Sequence, residues 1–148
     1  MPIAVRTVKT LWEGPLGSGR GTLGESSSGV LDGQEVTWAS RTEAPGGKTS
    51  PEELCAAAHS SCFSMAFSLK LAENGTPPER LVVQASVTFD EVDGAPTISS
   101  SRLEVDARVP GIDERAFQAI VADAVGFCPV SRLFAGAEIT IEARLEES

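Results

Sequence analysis

An α+β domain is the architecture this sequence predicts, on three observations. Alternating, β-branched stretches occupy both ends of the chain, a well-capped apolar helix starts after Ser50, and a hairpin signal at Asp93-Gly94 is followed by a second amphipathic helix. The 148 residues suffice for one domain, read as 1–148, and hardly for two.

Residues 3–12 (IAVRTVKTLW) alternate roughly and are rich in β-branched side chains, which predicts a strand. The glycine-dense turn EGPLGSGRG follows and carries Arg20. GTLGES and QEVTWAS read as two short strands joined through Asp32-Gly33, a hairpin dipeptide, and RTEAPGGKTS (41–50) reads as a loop. Ser50-Pro51-Glu52-Glu53 then opens a helix: Ser50 can cap, Pro51 suits the first helical position, and Glu53 completes a capping box. The helix is expected over about 51–72, because Glu73-Asn74-Gly75 stops it and Pro77-Pro78 bars its return. It is apolar almost all round and bears a small-residue stripe at Ser60, Ser64 and Ser68, so it is expected to be central, buried and closely approached by another element.

Residues 81–92 and 98–109 read as two strands of a hairpin around Asp93-Gly94. A second helix over about 113–126 has its apolar face at 117, 120, 121, 124 and 125. Pro129 fits the first position of a short helix PVSRLFAG, which makes Cys128 its N-cap, and 137–145 closes the chain as an alternating strand.

A net charge of −9, from 12 basic and 21 acidic residues, repels phosphate backbones and anionic membranes, so neither nucleic acid nor membrane is expected as a partner. No apolar run approaches the length of a membrane span, and MPIAVRTVKT lacks the long apolar stretch of a secretory signal, so a cytoplasmic address is expected.

Chemistry rests with three cysteines, Cys55, Cys62 and Cys128. An odd number argues against a structural disulfide framework, and no CxxC pair signals a thioredoxin-like motif or a zinc knuckle. Cys62 lies about a dozen residues into its helix, beyond the reach of the helix dipole, and burial alone raises a thiol pKa. It is an inert core thiol unless a cation is brought to it, and the candidates are His59 on the same face and the loop arginines Arg20 and Arg41. Cys128, before a short helix, meets orphan N–H groups that favour a lowered pKa or a good leaving group; the plain alternative is a small capping residue. Together the two thiols would make a peroxide-reducing pair, one becoming a sulfenic acid and the other condensing with it to a disulfide. Cys55, His59 and Cys62, at i, i+4 and i+7, share a helix face and with Cys128 could offer three sulfurs and a nitrogen to zinc. About 10 Å of helix separates Cys55 from Cys62, so one tetrahedral ion cannot easily take both; a zinc-bearing structural protein using Cys55, His59 and Cys128 stands as a lesser alternative. No metal or cofactor is expected; Cys55 reads as core, and His59 as a packed or capping-network histidine.

TSPEEL and AAAHSSCFSMA within 49–66, VPGID at 109–113 and CPVS at 128–131, with LWEG and SGVL nearer the start, together resemble the OsmC/Ohr family of osmotically inducible and organic hydroperoxide resistance proteins, on the OsmC branch. The resemblance implies an OsmC-like fold, an antiparallel β-sheet packed on the long central helix, and an intertwined homodimer with active sites at the subunit interface. It implies a metal-free thiol peroxidase acting on organic hydroperoxides and more weakly on hydrogen peroxide, recycled by a dithiol reductant such as a lipoylated protein. By match to the motifs, Cys62 would be the peroxidatic cysteine, Cys128 the resolving one, and Glu52 the carboxylate that orients an arginine beside the thiol. The OsmC branch places that arginine at Arg41; the Ohr branch would place it at Arg20. A non-catalytic redox-sensing or binding protein of the same fold is the alternative.

Overall fold

Short β-branched runs broken by glycine shape the first fifty residues. Lys9–Glu13 (β1), Arg20–Gly24 (β2) and Glu35–Val36 (β3) form an antiparallel sheet in the order β1-β2-β3. Gly21 faces Trp12 across this sheet, and a Cβ there would lie 2.7 Å from the Val36 side chain, so only glycine lets the three strands close. Residues 3–8 do not join β1: among the described residues they find no strand partner, and Thr7 meets Ser27 through three hydrogen bonds of 2.7, 2.9 and 3.3 Å.

The expected strand QEVTWAS shrinks to β3, and Trp38–Thr42 turns instead into a one-turn helix, α1. Thr37 caps it by accepting the Ser40 N–H at 3.0 Å, while Ser40 Oγ accepts the Thr37 N–H at 2.9 Å. The loop expected to begin at residue 41 therefore begins two residues later, and Arg41 is helical. Pro51–Glu73 forms the long helix α2, whose start follows its sequence: Ser50 Oγ accepts the Glu53 N–H at 3.1 Å. The Glu53 carboxylate accepts from Thr49 Oγ1 at 2.7 Å rather than from Ser50, so half of the expected capping box forms.

The computed structural model describes residues 1–147 and divides into two compact units, Met1–Leu54 and the residues from Cys55 onward. In the second unit Arg80–Val92 (β4) and Ala95–Arg108 (β5) make a long antiparallel hairpin. Asp93 and Gly94 form its two-residue turn with φ of 52° and 77°, the left-handed pair that a tight hairpin demands. Glu114–Phe127 (α3) is capped by Asp113, which accepts the Ala116 N–H at 2.8 Å, and is followed by Pro129–Leu133 (α4). The chain then crosses back and Glu138–Leu145 (β6) joins β5 in parallel, giving the order β4-β5-β6.

One face of that sheet carries the core. Leu103, Val105 and Ala107 of β5 meet Phe63, Phe67 and Leu71 of α2 and Phe117, Val121 and Ala124 of α3. The α3 stripe agrees with the apolar face expected for it. Helix α2 is not enclosed on every side within the single chain: Ala58, Ser61, Met65 and Leu69 form an uncovered strip, Met65 being 71% exposed. Two of the stripe's serine hydroxyls turn onto their own helix, Ser60 donating to the Ala57 carbonyl at 3.3 Å and Ser64 to the Ser60 carbonyl at 2.7 Å. Among the described residues, no helix is long and apolar enough to cross a membrane.

Phe67 lies fully buried between the rings of Phe63 and Phe117, with centroids at 5.5 and 5.6 Å. Phe67→Ala is expected to cost about 3–5 kcal/mol, read as a lower midpoint of urea unfolding.

Candidate active site

The first unit builds a fixed guanidinium. Ser40 Oγ donates to the Thr49 carbonyl at 2.9 Å and Val36 bridges Thr49, so the end of the loop is tied back to α1 just before α2 begins. The result places Arg41 against Glu52 of the first turn of α2. Arg41 Nε donates to the two carboxylate oxygens at 3.0 and 3.1 Å and Nη2 donates to Oε2 at 2.8 Å, with Glu52 only 7% exposed. This is the fork that suits an arginine and that a lysine cannot reproduce. Arg20 goes elsewhere: it is exposed and pairs with Glu35 at 3.0 Å. Beside Arg41, within the same unit, an apolar recess of about 190 Å³ is walled by Trp12, Leu16, Val36, Trp38 and Pro51.

The second unit brings the two expected thiols together. Cys62 is half-buried on α2 and packs against the core cluster that includes the fully buried Cys128, close enough for that thiol to act on it; no disulfide joins them. Cys128 occupies the N-cap of α4, but its side chain makes no capping hydrogen bond. A serine or aspartate there would take an N–H of the first turn. Pro129 has none to give, and the Val130 N–H donates to the Cys62 sulfur instead. The orphan-donor argument applied to Cys128 therefore lands on Cys62.

Opposing effects act on that sulfur. Burial, the largest, pushes the Cys62 thiol above its ordinary pKa, the Val130 N–H pulls it down, and the neighbouring Cys128 thiol pushes it up again. The balance is upward, so burial outweighs the one donor and the neutral thiol is favoured.

His59 does not supply the missing charge. It is fully buried, with Nδ1 2.6 Å from Ser101 Oγ and Nε2 2.8 Å from Ser131 Oγ, and burial lowers its pKa, so the ring is neutral. A neutral imidazole satisfies both hydroxyls, donating to one and accepting from the other. With both nitrogens engaged, the ring has none left for zinc, and the described residues contain no group of three metal-ligating side chains. Cys55 is half-buried on α2.

Sequence reasoning did not find Ser101, the Ser131 hydroxyl or the Val130 N–H as parts of this arrangement. Ser101 carried a signal: it heads the inward series Ser101, Leu103, Val105, Ala107, and a polar residue in such a register calls for a buried partner. Ser131 lies in the CPVS motif, but nothing local reveals what its hydroxyl meets.

The family model described as "OsmC-like protein" matches residues 44–144. Peroxiredoxin OsmC of Escherichia coli (strain K12) is 42% identical over 135 residues, covering 91% of this chain and 92% of that protein. The organic hydroperoxide resistance protein OhrB of Bacillus subtilis is similar in structure, with a TM-score of 0.67 and 25% identity over 98% of this chain and 100% of that one. An OsmC-like protein from Mycoplasma pneumoniae, at 10% identity over 99% of this chain and 100% of that one, shares the fold with a TM-score of 0.74.

The neutral, buried His59 couples stability to pH. Its pKa is lowered in the folded chain, so the unfolded chain binds the extra proton and stability is lost as pH falls below the unfolded value near ~6.5. Unfolding free energy is expected to fall from pH 7 towards pH 5 with a histidine contribution of at most about 1.4 kcal/mol per pH unit. Urea titrations across that range check it, and His59→Gln should flatten the slope.

Proposed function

The chain belongs to the OsmC-like protein family and is a thiol peroxidase, an oxidoreductase acting on peroxide, and from this premise we propose that it reduces organic hydroperoxides through a disulfide cycle between Cys62 and Cys128. The observation that carries the proposal is the proximity of the two thiols: Cys62 packs against the core cluster that includes Cys128, and the Cys128 thiol acts on its pKa. The Cys62 thiolate attacks the distal peroxide oxygen: an S–O bond forms, the O–O bond breaks, and the alkoxide takes a proton and leaves as alcohol. The Cys128 sulfur then attacks the sulfenic sulfur, the S–O bond breaks, and the hydroxyl leaves as water with the Cys128 proton. A dithiol reductant, a lipoylated protein or a similar small dithiol, returns two electrons by thiol–disulfide exchange.

Cys62 needs a positive partner because burial holds its thiol up and neutral His59 cannot provide the charge. We assign that role to Arg41, oriented by Glu52, with Arg20 as the alternative; the bidentate fork on a buried carboxylate supports the choice. The apolar recess beside Arg41 supports selection of alkyl hydroperoxides, since each buried methylene gains about 0.8 kcal/mol and hydrogen peroxide has none to bury. The uncovered strip of α2 supports a homodimer, intertwined as in the family, and residues 1–148 are read as one domain because the family model runs across the division at residue 54. A cytoplasmic address suits three cysteines held in the thiol form.

One equivalent of cumene hydroperoxide should remove two thiols and about 2 Da per chain from reduced protein, measured by thiol titration and intact mass. Cys62→Ser should abolish peroxide consumption, whereas Cys128→Ser should accumulate a sulfenic acid that dimedone captures. A sulfenic acid that forms without turnover would mark a redox sensor instead. Arg41→Ala should lower kcat/KM for the hydroperoxide at least about tenfold, the effect of one pKa unit on the thiolate fraction. An active Arg41→Ala alongside an inactive Arg20→Ala would move the assignment to Arg20.

A further inference from the structure

Among the described residues of the second unit, His59 is a fully buried ionisable group that the proposed cycle leaves without a task. Its ring joins three elements: it sits on α2, meets Ser101 of β5 at 2.6 Å, and meets Ser131 of α4 at 2.8 Å. Phe134, the C-cap of α4, closes edge-on against the ring with centroids 5.1 Å apart. Ser101 and Ser131 lie 42 and 72 residues from His59 in sequence, and α4 itself has only five residues, too few to hold its position by its own hydrogen bonds.

The contacts between α2 and the 128–134 segment form two rungs. His59 meets Ser131, and three residues further along α2 Cys62 meets Cys128 and the Val130 N–H. Residues three apart lie on one helix face, so the first rung fixes the second. We propose that His59, through Ser131, is a positioning residue that clamps the Cys128–Phe134 segment onto α2 and so keeps the Val130 N–H and the Cys128 thiol on the Cys62 sulfur. This rests on the reading of Cys62 and Cys128 as the reacting pair for its effect on turnover, but not for its effect on Cys62 itself.

Loss of the clamp has two consequences with different readouts. Without the Val130 N–H the Cys62 thiolate loses a donor, so the pH midpoint of its alkylation rises. Without Cys128 at hand, the sulfenic acid formed at Cys62 waits longer for the attack that expels water and closes the disulfide. A residue that merely stabilised the fold would change neither in protein that remains folded.

The test is Ser131→Ala, with Ser131→Thr restoring the hydroxyl, each first shown to be folded by circular dichroism. In Ser131→Ala the iodoacetamide midpoint of Cys62, followed by peptide mass, should rise by about half a pH unit. Disulfide closure after one equivalent of cumene hydroperoxide should slow at least about tenfold, with dimedone capture rising to match. Ser131→Thr should fall near the unmodified protein in both. A His59→Gln variant, which keeps one donor and one acceptor, should lie between them. An unchanged midpoint with normal closure in Ser131→Ala would overturn the clamp and leave the disulfide cycle standing. A raised midpoint in a protein that forms no disulfide even when unmodified would leave the clamp standing and overturn the cycle.

Discussion

The N–H of Val130, turned towards the sulfur of Cys62, is the influence that opposes burial at this thiol. It exists because Cys128 stands in a capping position without capping and because Pro129 has no N–H, which makes the Val130 donor the first that α4 can offer. A serine at 128 would satisfy that donor within its own turn and leave Cys62 with none. The same substitution of sulfur for oxygen thus creates the second thiol and frees the hydrogen bond for the first.

Electrostatics explains why the thiols need help from outside their own surroundings. Burial and a neighbouring thiol push Cys62 upward, one backbone donor pulls it down, and the net charge of −9 adds a background that disfavours any further anion. His59 would be the economical source of charge, but its two hydroxyl partners and its burial suit the neutral ring. An arginine cannot be neutralised in this way. Arg41 is instead held by Glu52 in a charge-assisted fork that keeps the guanidinium charged and fixed in orientation.

Local signals made most of the fold legible. Ser50-Pro51 and Asn74-Gly75 bracket α2 within a residue of its observed ends, and Asp93-Gly94 forms the expected two-residue turn, because caps and turns are settled by neighbours in the chain. Residues 37–42 misled for the same reason: Thr37 and Ser40 make a reciprocal cap, but serine stands where glutamate or glutamine would announce it, and the β-branched residues before it suggest a strand. Residues 3–8 have the composition of a strand and no strand to pair with. Arg41 and Glu52 were legible through family motifs, whereas His59 with Ser101 and Ser131, 42 and 72 residues apart, depends on tertiary structure that no local pattern encodes.

Exposure orders the two thiols. Helix α2 is apolar on nearly every side, so its sequence shows that it seeks cover without showing which face finds it in the chain. The structure divides it: His59, Phe63 and Phe67 turn to the core, Met65 and Leu69 do not, and Cys62 lies half-buried at the margin. Cys128 lies wholly behind it. In the proposed cycle an oxidant arriving from solvent meets Cys62 first, and Cys128 then meets the sulfenic acid that Cys62 has become. In such a pair, the roles of attacking and resolving thiol follow from access as much as from pKa, and a thiol that burial would otherwise silence is the one placed where a substrate can reach it.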